Sequence, residues 1–221
     1  ARAVIVNSVN ANTCNPDGYE KASKMCELAA DQLGLKAEDI IVASTGVIGQ
    51  VLPIEPIANG MKSLAEGLTY DGNDRALEAI MTTDTMPKEV AVKFRLGGVT
   101  CTMGGMLKGS GMIHPNMATT LTFITTDADI SAELLQRALS DIVKVTLNRA
   151  SVDGDTSTND MVCVLASGSA GNKTVCREDE DFEEFETALY AIMMNLARKM
   201  ARDGEGATKL IECSVSGAET E

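Results

Sequence analysis

The residue types best suited to chemistry lie in a glycine-rich bend that runs from Lys108 to Ala118 and ends at Thr119. Glycines let the backbone approach a ligand closely and permit a strained peptide. A threonine hydroxyl there can attack the preceding carbonyl, undergo an N-to-O acyl shift and be released by water as an N-terminal threonine. Its free α-amine, with a pKa of about 7.7–8.0, can then accept the hydroxyl proton at neutral pH.

The spacing of these residues is equally compatible with a purely structural role. Thr119 is also one more β-branched residue in a predicted strand that contains Thr120 and Thr122. Lysines such as Lys108 are more often solvated on a protein surface than bound to a ligand.

A second loop with exposed backbone follows the apolar run 40–43, which predicts a buried strand. This strand leads directly into 44–49, a loop of small residues and glycines that includes Thr45 and Gly46. Such a loop leaves backbone N–H groups open to a ligand, although an ordinary turn at a strand end has the same composition.

The elements that would position these loops alternate between strands and helices along the chain. Strands are predicted at 3–6, 40–43, 90–96, 99–103, 119–125, 161–166 and 208–215, with a hairpin turn at Gly97 and Gly98. Helices are predicted at 19–33, 57–67, 74–81, 131–148 and 182–201, with Ser131 as an N-cap. No repeat or linker interrupts this order, so the sequence predicts one α/β domain over 1–221, with mixed sheets packed with helices.

The charge and cysteine content of the 221 residues exclude several classes of function. A net charge of −13 argues against binding to nucleic acid or to an anionic membrane. The six cysteines show no CxxC spacing and the chain has one histidine, which argues against a metal site. No apolar run reaches the length of about 20 residues that a membrane helix needs. We therefore expect reduced, mostly buried cysteines and a cytoplasmic location.

A polar loop at 153–160 is rich in carboxylates. It lacks the 12-residue pattern with a terminal glutamate that a calcium loop requires. We interpret it as a structural loop held by hydrogen bonds.

Six blocks of the sequence closely resemble the ornithine acetyltransferase family, also called the bifunctional arginine-biosynthesis acetyltransferases. In chain order the blocks are 10–13, 44–49, 81–88, 108–120, 153–160 and 202–209. The resemblance implies a self-processing fold of the N-terminal-nucleophile type, as in aminopeptidases of this kind. It also implies that family members extend further at both ends and that those portions, including a substrate-site asparagine, are absent here.

The resemblance assigns roles to individual residues of this chain. Thr119 would be both the nucleophile and, with Ala118, the cleavage site that divides the chain into 1–118 and 119–221. Thr45 and Gly46 would form the oxyanion hole, since a hydroxyl and a backbone N–H stabilise a tetrahedral oxyanion.

Four substrate contacts follow from the same resemblance: Thr82, Lys108, Thr119 and Glu205. Lys108 would pair with the α-carboxylate of acetylornithine, and Glu205 would hold the side-chain ammonium. For Thr82, a capping role at a helix end is an alternative, because Thr83 and Thr85 are close by.

The implied activity is a ping-pong transfer of an acetyl group from N2-acetylornithine to glutamate through a threonine acyl-enzyme, with no metal or organic cofactor. Ornithine is the product of the first half-reaction, and acetyl-CoA is a second donor in some family members. The cleaved halves would assemble as a heterotetramer. Two alternatives stay open: a related self-processing amidohydrolase or aminopeptidase, and an inactive fragment that acts at most as a binding module.

Overall fold

The computed structural model of the chain describes residues 1–114 and 120–219. The strands are β1 (Ala3–Asn7), β2 (Ile40–Ser44), β3 (Lys88–Leu96), β4 (Val99–Lys108), β5 (Leu121–Thr126) and β6 (Met161–Ala166). The helices are α1 (Gly18–Leu33), α2 (Ile54–Glu66), α3 (Asn73–Ile80), α4 (Ala132–Val145) and α5 (Glu180–Arg202), with short 3-10 turns at Ala37–Asp39 and Leu147–Arg149. The predicted α/β class with mixed sheets and packed helices is confirmed.

The N-terminal part of the chain is a small parallel sheet covered by helices. Strands β1 and β2 pair in parallel, from Ala3 opposite Ile40 to Asn7 opposite Ser44. The intervening helix α1 ends at Gly34, whose left-handed backbone (φ 64°) suits glycine at a helix C-terminus. Apolar side chains of β1, β2, α1 and α2 form the core of this part. The parallel pairing places the loop after β2 at one edge of the sheet.

The larger sheet has the strand order β3-β4-β5-β6. Strand β4 pairs antiparallel with both β3 and β5, whereas β5 and β6 are parallel because helix α4 crosses between them. Gly97 and Gly98 form the predicted hairpin turn, both with positive φ. Helix α5 covers the sheet, and its apolar face contributes to a second core together with α4.

Glycine within β4 lets helix α5 approach the sheet closely. A Cβ on Gly105 would lie 3.1 Å from side-chain atoms of both Ile124 and Ile192. The sequence predicts a strand that ends at Met103. Instead β4 continues to Lys108, because its glycines are paired on both sides, with β3 and with β5.

Ser131 caps helix α4 as predicted, since its hydroxyl accepts a hydrogen bond from Leu134 N–H.

The predicted strand 208–215 is wrong: these residues are exposed and form no regular structure. Alternating apolar residues form a strand only beside a hydrogen-bonding neighbour, and the described residues provide none there.

The cysteines also differ from expectation. All six are free thiols, but only three are buried, namely Cys26, Cys101 and Cys163. Among the described residues, no helix is long and apolar enough to cross a membrane.

Candidate functional site

Lys108 is a buried lysine at the C-terminal end of β4. Only 3% of the residue is exposed, so it is not the solvated surface lysine that composition favours. Within residues 1–114 and 120–219, its ammonium group forms no hydrogen bond and no ion pair. Burial lowers the pKa of Lys108; the carboxylate of Asp84 opposes the shift, the charge of Lys88 adds to it, and Asp160 and Glu205 oppose it further. An incompletely paired cation therefore lies among several carboxylates.

A second buried lysine, Lys88, starts strand β3 and is fully paired. Its Nζ lies 2.6 Å from Asp84 Oδ1 and 2.6 Å from Asp203 Oδ2, and it also donates to Met86 O at 3.4 Å. The three side chains are 0–2% exposed. Three acceptors match the three donors of an ammonium group, so this cluster is satisfied internally.

The two carboxylates of this cluster hold the backbone of neighbouring loops. Asp84 accepts hydrogen bonds from Gly109 N–H at 2.8 Å and from Thr82 N–H at 3.1 Å. Burial would raise the pKa of Asp84, but these hydrogen bonds and Lys88 outweigh it and hold that pKa below its usual value. Asp203 accepts from the backbone N–H and the hydroxyl of Thr85, which with Lys88 likewise lower its pKa against the effect of burial.

Glu205 is positioned beside the Lys108 loop by its own backbone. Its N–H donates to Ser110 O at 2.7 Å. Its carboxyl group lies over Gly111, where any Cβ would overlap it, so glycine is required for this approach. The Ser110 hydroxyl lies 2.7 Å from the Thr83 hydroxyl, which ties the loop after α3 to the same place.

The predicted oxyanion loop follows β2. Thr45 is buried and its N–H donates to Asn7 O at 2.9 Å. Gly46 has φ 128°, and a Cβ on it would overlap the carbonyl of Val9, so glycine is needed here. Neither the Thr45 hydroxyl nor the Gly46 N–H has a hydrogen-bond partner in the described part of the chain. Both donors are thus available to a ligand oxygen.

The loop 153–160 joins the two sheets at this point. Asn159 donates from its amide nitrogen to Ser44 O at 2.8 Å and to Asn12 Oδ1 at 2.7 Å. The next residue, Asp160, accepts a hydrogen bond from Thr120 N–H at 2.6 Å. Two adjacent side chains therefore connect the residue before Thr45 with the residue that follows Thr119.

The same loop also holds the middle of the glycine-rich bend. Asp153 accepts hydrogen bonds from Met112 N–H at 2.6 Å and Ile113 N–H at 3.0 Å. Burial would raise its pKa, but hydrogen bonds from the backbone of Asp155, Met112 and Ile113 outweigh burial and lower it. The interpretation of 153–160 as a loop held by hydrogen bonds is confirmed.

Asp160 is half-buried, and its one hydrogen-bond donor among the described residues is Thr120 N–H. Burial raises its pKa to about 6, although the Thr120 N–H and the charge of Lys108 act in the opposite direction. A carboxyl group with such a pKa changes its protonation state near neutral pH.

The sequence-predicted residues fall into four groups. Lys108 and Glu205 lie together, whereas Thr45 and Gly46 lie on a separate loop that Asn159 connects to the larger sheet. Thr82 is exposed and contributes its backbone N–H, and its hydroxyl has no hydrogen-bond partner among residues 1–114 and 120–219. Ala118 and Thr119 lie outside the described residues, so their roles stay predictions.

Five residues of the site were not singled out from the sequence: Asp84, Lys88, Asn159, Asp160 and Asp203. All five lie inside the blocks that carry the family resemblance. The spacing of Asp84 and Lys88 was a weak signal, since residues four apart are neighbours on a helix, whereas these two lie in a loop and at the start of a strand. The pairing of Lys88 with Asp203, far away in the chain, required the fold.

Comparisons with known proteins cover the whole chain. A family model described as the ArgJ family matches residues 1–221. The chain is 51% identical over 220 residues to the arginine biosynthesis bifunctional protein ArgJ of Symbiobacterium thermophilum, an alignment that covers 99% of this chain and 55% of that protein. It is 52% identical over 221 residues to the same-named protein of Geobacillus kaustophilus, covering 100% of this chain and 54% of that one.

Solved structures of similar proteins include an ornithine acetyltransferase from Mycobacterium tuberculosis in complex with ornithine. It shares 36% sequence identity with this chain at a TM-score of 0.46, covering 51% of this chain and 61% of that one. The chain spans about half the length of the curated relatives that it matches. Since the family model matches all of its residues and the relatives are about half identical to it, this chain belongs to the ArgJ family.

Proposed function

We propose that this chain carries the catalytic machinery for transfer of an acetyl group from N2-acetylornithine to glutamate, with Thr119 as the acyl-accepting nucleophile. The observation that carries the proposal is that Lys108 and Glu205 lie beside the same glycine-rich bend. Lys108 offers a buried cation whose described surroundings leave it without a hydrogen-bonded acceptor, and Glu205 offers an anion. These charges complement the α-carboxylate and the side-chain ammonium of an acetylated diamino acid.

The first step of the proposal is cleavage of the chain between Ala118 and Thr119. The Thr119 hydroxyl oxygen attacks the carbonyl carbon of Ala118, and the C–N bond breaks as the nitrogen takes up the proton. Water then hydrolyses the resulting ester, which leaves a carboxylate on Ala118 and a free amine on Thr119. The residues 1–118 and 119–221 become separate chains, which assemble as a heterotetramer in the cytoplasm.

The transfer itself proceeds in two half-reactions without a metal or an organic cofactor. Thr119 Oγ attacks the acetyl carbonyl of acetylornithine while its α-amine accepts the hydroxyl proton. The Thr45 hydroxyl and Gly46 N–H stabilise the tetrahedral oxyanion, in keeping with their lack of partners in the described part of the chain. Ornithine leaves with the proton on its amine, and the amine of glutamate then attacks the acetyl ester and frees Thr119.

Cleavage is tested by an intact-mass spectrum and a denaturing gel of the purified protein beside Thr119→Ala. We expect two fragments from the unsubstituted protein, one of them beginning at Thr119, and a single chain from the variant. A single intact chain from both proteins would contradict the proposed processing.

The acceptor is tested by measuring ornithine release from acetylornithine with and without glutamate. Acetylglutamate formation, with little hydrolysis when glutamate is left out, is the expected result. Equal release of ornithine in both cases would instead support the amidohydrolase alternative, since water would then be the acceptor.

A further inference from the structure

The Lys88 cluster lies at the centre of three separate chain segments. These are the loop after α3, which contains Asp84, the end of β4, where Gly109 N–H donates to Asp84, and the end of α5, which contains Asp203. Each segment also carries one of the expected substrate contacts, namely Thr82, Lys108 or Glu205. This coincidence is not explained by the need to stabilise the sheet alone, because the cluster holds loop backbone rather than strand backbone.

The connections can be followed bond by bond. Asp84 holds the N–H of Thr82 itself and the N–H of Gly109, the residue after Lys108. Asp203 ends α5 two residues before Glu205 and holds both the N–H and the hydroxyl of Thr85.

Lys88 is what allows both carboxylates to be present here. Two buried carboxylates with no cation between them would repel each other and lose their hydration. With Lys88 Nζ 2.6 Å from each, they stay close together and remain acceptors for loop N–H groups. We propose that Lys88 is a positioning residue that sets the relative placement of Thr82, Lys108 and Glu205 and thereby the fit of the substrate's two charged ends.

This inference rests on the proposed function for its substrate, whereas the coupling of the three segments by Lys88 can be measured without any substrate. The experiment therefore has two readouts on the purified protein. One is amide hydrogen exchange at Thr82, Thr85 and Gly109, and the other is the KM and kcat for acetylornithine. The variants are Lys88→Met and Lys88→Arg, with Lys93→Met as the matched control, because Lys93 is an exposed lysine on the same strand.

In Lys88→Met we expect exchange at all three amides to be faster by about tenfold or more, with the remaining amides of β4 and β5 changed much less. The KM for acetylornithine should rise about tenfold with a smaller change in kcat, because uniform binding of the substrate is lost. Lys93→Met should match the unsubstituted protein in both readouts.

Lys88→Arg keeps the charge but places a larger, planar group between the carboxylates. It provides the test should Lys88→Met not fold, and we expect a KM increase of about threefold and faster exchange at the same three amides.

The proposal is overturned by a folded Lys88 variant whose KM equals that of the unsubstituted protein, or whose exchange increases equally throughout the chain. Either result would mean that Lys88 contributes stability only. If the unsubstituted protein transfers no acetyl group, the proposed function fails. The exchange rates of the three amides would still show whether Lys88 couples the segments.

Discussion

Two lysines are buried at the same end of the larger sheet, and their surroundings differ in one respect. Lys88 is surrounded by acceptors, whereas Lys108 has no hydrogen-bonded acceptor among the described residues. A buried cation that is fully paired has no capacity left for a ligand, while a buried cation without a close partner is unfavourable until an anion binds. This difference is the basis for the two proposed roles, in which Lys88 positions the site and Lys108 binds the substrate.

Replacing the two lysines by methionine should therefore change stability in opposite directions. Lys88→Met leaves Asp84 and Asp203 buried without their cation. We expect the free energy of unfolding to fall by about 3–5 kcal/mol, the range for removal of one partner of a buried ion pair. Urea denaturation at neutral pH measures it. A loss no larger than that of Lys93→Met would contradict the description of Lys88 as the central charge of the cluster.

Lys108→Met should instead raise the free energy of unfolding, by about 1–3 kcal/mol, because it replaces an incompletely paired buried charge with an apolar chain of similar length. The same variant should lose acetyl transfer by about a hundredfold, since it removes the cation for the substrate carboxylate. Denaturation and steady-state kinetics on one preparation check both effects. A destabilised variant would show that Lys108 is a structural residue like Lys88.

Asp160 extends the comparison to pH. Its folded-state pKa of about 6 lies above the ordinary aspartate value of 3.8, so the folded protein holds this proton more tightly than the unfolded chain. The contribution to stability is present below about pH 4 and is lost as the pH rises to about 6, amounting to about 1–2 kcal/mol after allowance for partial exposure.

This contribution is measured as the difference in unfolding free energy between the unsubstituted protein and Asp160→Asn across pH 4 to 7. The subtraction cancels the pH dependence that the other carboxylates contribute. Among these are Asp84 and Asp203, whose pKa values are lowered whereas that of Asp160 is raised. When both proteins also carry Lys108→Met, the loss of stability with rising pH should extend to higher pH, because Lys108 lowers the pKa of Asp160. A difference in unfolding free energy that stays constant from pH 4 to 7 would show that burial does not raise the pKa of Asp160.

The smallest effect is expected for Thr82→Ala. The Thr82 side chain is exposed, and its backbone N–H, which the variant keeps, makes the hydrogen bond to Asp84. We expect a change in stability within about 0.5 kcal/mol, and an increase in KM if the hydroxyl contacts the substrate. A much larger loss of stability would support the capping role instead.

The sequence predicted most helices and strands correctly because their apolar residues recur with clear periodicity. Local rules also identified the Gly97–Gly98 turn and the Ser131 cap. The extension of β4 to Lys108 could not be predicted, because it depends on glycines that are paired by neighbouring strands. The strand expected at 208–215 was wrong for the converse reason, since its apolar pattern has no paired neighbour in the described structure.

The sequence indicated only those site residues to which the family resemblance assigns a role. Lys108 and Glu205 lie beside the same bend although they are distant in sequence, and their substrate roles stay predictions. The Lys88 cluster was missed because a lysine and two carboxylates look like solvated surface residues until folding removes the water around them. Asn159 and Asp160 were missed as individuals because the loop 153–160 offers many similar polar side chains.

The most direct measurement of the central claim is a mass spectrum of the protein mixed with acetylornithine in the absence of glutamate. The account predicts one added acetyl group on the fragment that begins at Thr119, located on that residue by peptide sequencing and removed when glutamate is added. Acetylornithine consumed with no acetyl group on Thr119, or an acetyl group that glutamate does not remove, would contradict the proposed acyl-enzyme.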